Sequence, residues 1–267
     1  MKVVIRRRVA VVLCGLMGAA LLSPERVRAQ TRLNFVSCPI VRDTATVPCW
    51  LTRHDGELYY MGIQTDVSAE FHPPYLGHRV LVEGTVADPD HRICGGIVLE
   101  PIKISVMPEL DGSCNTILPA EARYSIDFNP RPPGPSGGRL AFQAPPGGEP
   151  ATPAPAAGPK TFHLYFDVDQ GVAFRHPAML IEVRDYAASI GARRISVHGS
   201  RGATLLSNGE LLVESEGIAQ RRAEQVGTLL QGLGLAARIT SGYSTQAVAA
   251  DGIDDWMSRG VEIRVEP

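Results

Sequence analysis

Between Asn129 and Lys160 the sequence places ten prolines and six glycines in thirty-two residues. Proline lacks the backbone donor that helices and sheets use, and glycine has no side chain to bury. Such a stretch buries too little apolar surface to offset the entropy of ordering its backbone. It reads as a linker, polyproline-like at Pro130-Arg131-Pro132-Pro133-Gly134-Pro135 and at Pro150-Ala151-Thr152-Pro153-Ala154-Pro155. Cutting the 267-residue chain here leaves roughly a hundred residues on either side, each the size of one domain.

Residues 1–29 form a further segment. Lys2, Arg6, Arg7 and Arg8 precede an apolar run from Val9 to Leu22, and Val27-Arg28-Ala29 closes it. A basic start, a short apolar core and a small-residue exit predict a cleavable secretory signal peptide. Fourteen helical residues cover only about 21 Å, short of the ~30 Å hydrocarbon core. Leu13 precedes Cys14, where lipid attachment wants a small residue. No transmembrane span is expected in the mature chain. Six of the 26 basic and one of the 28 acidic groups lie in this segment, so the remainder carries a net charge of −7. That charge gives no footprint for nucleic acid and no attraction to an anionic membrane. The expected location is the periplasm, in association with the cell wall or outer membrane.

Residues 30–128 read as short strands. Val47–Thr52, Leu58–Thr65, His78–Ala87 and Ile97–Val106 are rich in Val, Ile, Leu, Tyr and Trp, with turn residues between them. That spacing predicts a small barrel or sandwich. The strand Gly77-His78-Arg79-Val80-Leu81-Val82-Glu83-Gly84-Thr85-Val86 resembles one from an OB-type barrel. Cys38, Cys49, Cys94 and Cys114 are expected to form two disulfides in an exported domain. Of the three connectivities, short loops favour Cys38–Cys49 with Cys94–Cys114. A four-cysteine zinc site would want a C-x₂-C pair, and there is none. His54, His72, His78 and His91 stand at no metal-binding helix spacing, and no G-x-S-x-G motif occurs. No catalytic residue, metal or cofactor is expected. Trp50, Tyr59, Tyr60 and Tyr75 are candidates for ligand contact or for packing.

Residues 161–267 have another pattern. Phe162–Phe166 alternates like a strand, and Ala178–Ile190 is amphipathic, with Leu180, Ile181, Val183 and Ala187 or Ala188 inward. Arg194–His198 is a second strand, and Glu216–Leu233 a second helix with Ile218, Val226, Leu229 and Leu230 as its stripe. Arg238–Ser241 and Val261–Val265 follow as strands. The order predicts a mixed sheet with helices on one face, making the whole chain α+β.

These residues resemble the OmpA-like peptidoglycan-binding domain. Tyr165-Phe166-Asp167-Val168-Asp169, Ile195-Ser196-Val197-His198-Gly199, Ile218-Ala219-Gln220-Arg221-Arg222-Ala223, Gly242-Tyr243 and Ser258-Arg259-Gly260-Val261-Glu262-Ile263 carry the likeness, in order. It implies a zwitterionic ligand, the diaminopimelate of the peptidoglycan stem peptide. An arginine would take its carboxylate and an aspartate its ammonium. Arg222 falls on the family's arginine, and Arg259 lies in its last motif. Ser200, Arg201 and Gly202 stand where the family has its aspartate loop, with Gly202 at the aspartate itself. Arg201 adds positive charge there, and the loop to Arg222 is about five residues longer than usual.

Three readings follow. Glu210 or Glu214 in the longer loop replaces the aspartate; the site accepts another stem or an isolated carboxylate; or wall binding has lapsed on a kept scaffold. An aspartate at 202 should restore a partner for the ammonium, raising affinity where the site binds and creating it where the site has lapsed. Independently of the resemblance, Arg222 and Arg259 could be exposed arginines paired with neighbouring acids. The expected function is a non-enzymatic periplasmic envelope protein. Its second domain contacts peptidoglycan or derives from one that did, and the tether lets the β-domain reach an envelope protein partner. The alternative is a scaffold of an envelope complex with no peptidoglycan affinity.

Overall fold

A computed structural model of the chain describes residues 31–63, 76–86, 88–124, 126, 158–171 and 178–267. The signal-peptide reading, nearly all of the linker reading, and His72 and Tyr75 lie outside these residues. The first lobe contains β1 (Thr31–Ser37), β2 (Pro39–Arg42), β3 (Cys49–His54), β4 (Glu57–Ile63), β5 (His78–Val86), β6 (Arg92–Ile93), β7 (Gly96–Leu110) and β8 (Thr116–Leu118). The second contains β9 (Lys160–Tyr165), α1 (Ala178–Ser189), β10 (Arg194–Arg201), β11 (Ala203–Leu205), β12 (Leu211–Val213), α2 (Ile218–Gly232), β13 (Arg238–Ala247), a 3₁₀ turn at Asp255–Ser258, and β14 (Gly260–Glu266). The described residues are thus sheet-rich α+β with two helices. No helix among them is long and apolar enough to cross a membrane.

In the first lobe the strand order is β1-β5-β7-β4-β3-β2-β8, with β6 on β7. Only Cys38 separates β1 from β2, so one bent stretch of chain supplies strands near both ends of the path. The β4–β7 pair is parallel, while β1–β5, β5–β7, β3–β4 and β2–β3 are antiparallel. Alternate residues turn inward. Phe35, Val82 and Ile104 form one cross-strand row of the core, joined by Tyr59, Met61, Val80, Ile97 and Leu99.

The cysteines pair as Cys38–Cys114 and Cys49–Cys94, not as neighbours in sequence. The sequence separations are 76 and 45 residues. The short-loop expectation fails because strand register, not chain distance, decides which Cα atoms meet. Cys38 interrupts the bent strand that Cys114 approaches, at a Cα distance of 4.8 Å. Just before Cys114, the Ser113 hydroxyl and backbone N–H, with Arg79, bond the Asp111 carboxylate and hold its pKa down at about 2.

The second lobe has strand order β13-β10-β14-β9, parallel only between β10 and β13. Both helices lie on one face. Leu180, Val183 and Ala187 of α1, and Ala223, Val226 and Leu230 of α2, pack on Phe162, Leu164, Ile195, Val197, Val261, Ile263 and Val265. Ile181 and Leu229, expected inward, are instead 41% and 39% exposed. Small residues at 219, 223 and 227 bring α2 closer to the sheet than a leucine-based stripe would. The longer loop between β10 and α2 is a hairpin, β11–β12, in register from Ala203–Val213 to Leu205–Leu211.

The lobes are docked. On β5 the two-residue alternation disappears, and every residue from Val80 to Thr85 is buried. One face of this strand covers the first lobe's core, and the other meets the second lobe. Asn34 donates from Nδ2 to the carbonyls of Leu205 (3.0 Å) and Gly252 (2.9 Å), and its own carbonyl accepts from Ser207 N at 2.8 Å. Ser105 accepts from Val168 N at 3.0 Å and donates to Asp167 at 3.3 Å. Trp256 packs edge-on against Tyr165, with ring centroids 4.8 Å apart, and burial pushes the Tyr165 phenol pKa up. The two lobes are thus in contact through β1, β5 and β7.

Two outcomes follow. A Cβ at Gly199 would overlap the carbonyl oxygen of Ala219, where α2 crosses β10. Gly199→Ala should cost about 1–3 kcal/mol by urea unfolding; an unchanged midpoint would contradict that close approach. Non-reducing peptide mapping should recover Cys38–Cys114 and Cys49–Cys94 and no adjacent pairing.

Candidate functional site

Arg222 occupies the buried stripe of α2, between Ala219 and Val226, and is 0% exposed. A guanidinium carries five N–H groups, and a site without water must satisfy them all. Nε donates to Gln170 O at 3.0 Å. Nη1 donates to Ser200 O at 3.2 Å and to Glu214 Oε2 at 2.9 Å. Nη2 donates to Asp167 O at 3.1 Å and to Glu214 Oε1 at 2.5 Å. The guanidinium carbon also lies 4.9 Å from the Phe166 ring centre. All five donors are used, two of them in a fork on one carboxylate.

Glu214 is equally complete. Besides Arg222, its Oε2 accepts from Gly202 N at 2.7 Å and its Oε1 from Asp169 N at 3.0 Å. The carboxylate thus takes four hydrogen bonds, its ordinary capacity. The β11–β12 hairpin delivers it: β11 leaves β10 at Gly202, β12 returns, and Glu214 follows at once, its N–H donating to Gly202 O at 3.1 Å. Asp169 in turn accepts from Ser215 N at 2.6 Å, closing the loop on itself.

Arg259 is 1% exposed and faces the other lobe. Its Nη2 and Nη1 fork onto both oxygens of Glu83 on β5, and Nη1 also donates to Thr204 Oγ1 at 2.7 Å. Its Nε has no partner. The idea that these two arginines are exposed residues pairing with nearby acids fails on exposure. Both pairs are buried, and the Arg259 partner comes from 176 residues away.

The other candidates separate. Ser200 donates its hydroxyl to the Ser258 and Gly260 carbonyls, at 2.9 and 3.0 Å. Arg201 has a buried Nε with no hydrogen-bond partner among the described residues. Glu210 stays at the hairpin turn, bonded to Asn208, and does not reach Arg222. Gly202 has no space for a side chain: a Cβ would lie 2.5 Å from both Arg259 Cγ and Ser258 Oγ. An aspartate there would collide rather than restore a ligand contact.

In the first lobe His54 stacks on Phe35 at 4.2 Å, His78 Nδ1 meets Met107 O at 2.8 Å, and His91 is exposed. Trp50 and Tyr60 are half-buried against the core, and Tyr59 is buried in it. Among the described residues no group of three or more His, Cys, Asp or Glu could hold a metal ion.

The sequence reading missed Glu83, Asn34 and Asp255. Asp255 is buried and accepts from the N–H groups of Leu205, Asp251 and Gly252, which ties the hairpin to the turn before β14. Only Glu83 left a trace in the sequence, as a carboxylate set directly after the apolar run Val80-Leu81-Val82. No protein-family model matches the chain, and no curated protein matches it.

Removing one partner of a buried ion pair leaves the other charge unsatisfied, at about 3–5 kcal/mol. Glu83→Met and Arg259→Met should each cost that much in urea unfolding, while the double variant should cost less than their sum. Strictly additive losses would mean that the two side chains do not meet.

Proposed function

We propose that the chain is a non-enzymatic component of the cell envelope. In this reading an OmpA-like domain at 161–267 serves as a scaffold, and an OB-like barrel at 30–128 is carried on it and presents its remaining surface to an envelope protein partner. The β-α-β-α-β-β order with both helices on one face supports the OmpA-like reading. The strand path that turns back on itself, with parallel pairs at β4–β7 and β2–β8, supports the OB-like one. Two disulfides fit an oxidising compartment, and with the signal-like residues 1–29 they favour the periplasm.

The observation that carries the scaffold reading is the saturation of Arg222. A stem-peptide carboxylate could reach it only by displacing Glu214. That would leave a buried carboxylate with no counter-charge, at several kcal/mol. The incoming carboxylate would regain about what was lost, so the exchange has no net driving force. Arg259, committed to Glu83, offers no second anchor.

The test is co-sedimentation of the full mature protein with purified sacculi. The protein should stay in the supernatant over a salt series. Pelleting that free diaminopimelate competes away, and that Arg222→Ala abolishes, would overturn the scaffold reading in favour of wall binding.

A further inference from the structure

The edge of a sheet carries a row of unpaired backbone donors and acceptors, and folded chains cover, shorten or charge such edges. Of the end strands of the two larger sheets, all but one are treated in this way. In the first lobe β8 is three residues long, and on β1 the Asn34 backbone is bonded in both directions by Ser207 of the second lobe. In the second lobe β9 is six residues long and starts at Lys160, whose ammonium lies over the Phe162 and Tyr186 rings, at 4.5 and 5.1 Å. The exception is β13. It runs ten residues from Arg238 to Ala247, contains no proline or lysine, and bears its one charge at its first residue. Among the described residues no strand pairs with its outer edge.

The ladder with β10 fixes which groups are free. Arg238 N donates to Arg193 O at 2.9 Å, so Arg238, Thr240 and Gly242 turn their backbone groups toward β10. Ile239, Ser241 and Tyr243 therefore turn theirs outward. Their side chains alternate onto the helix-covered face. There Ile239 packs on the core, Ser241 Oγ donates to Ala223 O at 3.3 Å, and Tyr243 is left 46% exposed. A second β13 laid antiparallel about Ser241 completes this row. It sets Ile239 of each copy against Tyr243 of the other, a β-branched–aromatic pair made twice, and closes about six backbone hydrogen bonds between the outward groups. Arg238 then falls opposite Ser244, so no like charges meet along the strand. A parallel second copy in register would instead put Arg238 beside Arg238.

We propose that β13 is a homodimerisation edge, at which two copies of the chain join antiparallel about Ser241 and their four-stranded sheets become one. The two-fold axis stands perpendicular to the sheet, so the helices of both copies lie on the same face of it. The contact is one strand wide, below the area of a permanent dimer, and the pair therefore forms and separates with concentration.

Sedimentation velocity of the full mature protein should show a monomer–dimer equilibrium between about 1 μM and about 1 mM, the range of a contact this small. Tyr243→Lys removes the aromatic pair and places an ammonium on the edge. It should weaken the dimer about tenfold or more. Its urea midpoint should stay that of the wild type, because Tyr243 is half-exposed. Hydrogen exchange read residue by residue locates the contact without a variant. The amides of Ile239, Ser241 and Tyr243 should slow as concentration rises, while those of Thr240 and Gly242, already bonded to β10, should not change. A protein still monomeric at about 1 mM, a dimer that Tyr243→Lys leaves intact, or a dimer without that alternating protection overturns the proposal.

Discussion

A guanidinium taken out of water needs five acceptors, and the second lobe is arranged to give them to Arg222. Three come from backbone carbonyls at 167, 170 and 200, on two different stretches of chain. Two come from Glu214 at the foot of the hairpin. The end of β9, the end of β10, the hairpin and α2 are therefore held at one point. A purely apolar contact would hold these elements with less directional demand, because burial of hydrocarbon is indifferent to orientation. Here a rotation of any one segment would strand a buried donor or acceptor, at about 1–3 kcal/mol each.

The same hairpin links this point to the lobe boundary. Thr204 on β11 accepts from Arg259, Leu205 offers its carbonyl to Asn34 and its N–H to Asp255, and Ser207 bonds Asn34 in both directions. Thus the hairpin residues between β10 and α2 do two things. At one end they fill the arginine site with Glu214, and at the other they form part of the surface on which the first lobe sits. Closure of the site and docking of the lobes share one structural cause.

Much of this was legible in the sequence, and the rest was hidden for identifiable reasons. Period-two and period-3.6 patterns placed the main strands and both helices, because one-sided burial leaves that trace. Ile181 and Leu229 were misplaced because an apolar residue on a helix flank looks the same whether or not the sheet reaches it. Arg222 was found through the resemblance, and Glu214 was one of two acids weighed beside it. That Glu214 and not Glu210 reaches the guanidinium depends on the hairpin, which holds Glu210 at its turn and brings Glu214 back beside Gly202 at its foot. The disulfide pairing was misread because loop length stood in for strand order. The other docking contacts were invisible: Asn34 and Ser105 are outward positions of ordinary strands, and polar residues there normally meet water.

The boundary between the lobes is mostly polar, and such a surface between separate chains would give a weak complex, since polar groups exchange water for one another at little net gain. Here the partners are covalently joined. A covalent connection of any kind raises the effective concentration of one lobe for the other, to on the order of millimolar for a short flexible one, so docking needs to supply only a few kcal/mol to dominate. Under that condition the worth of the Glu83–Arg259 fork is in its direction. Two parallel N–H···O contacts in a low-dielectric setting tolerate little rotation, and Asn34 and Asp167 add contacts on either side. A connection rich in proline and glycine thus does not by itself imply that the joined parts move independently. Covalent connection keeps the two lobes near each other, and the buried pair fixes how they are oriented.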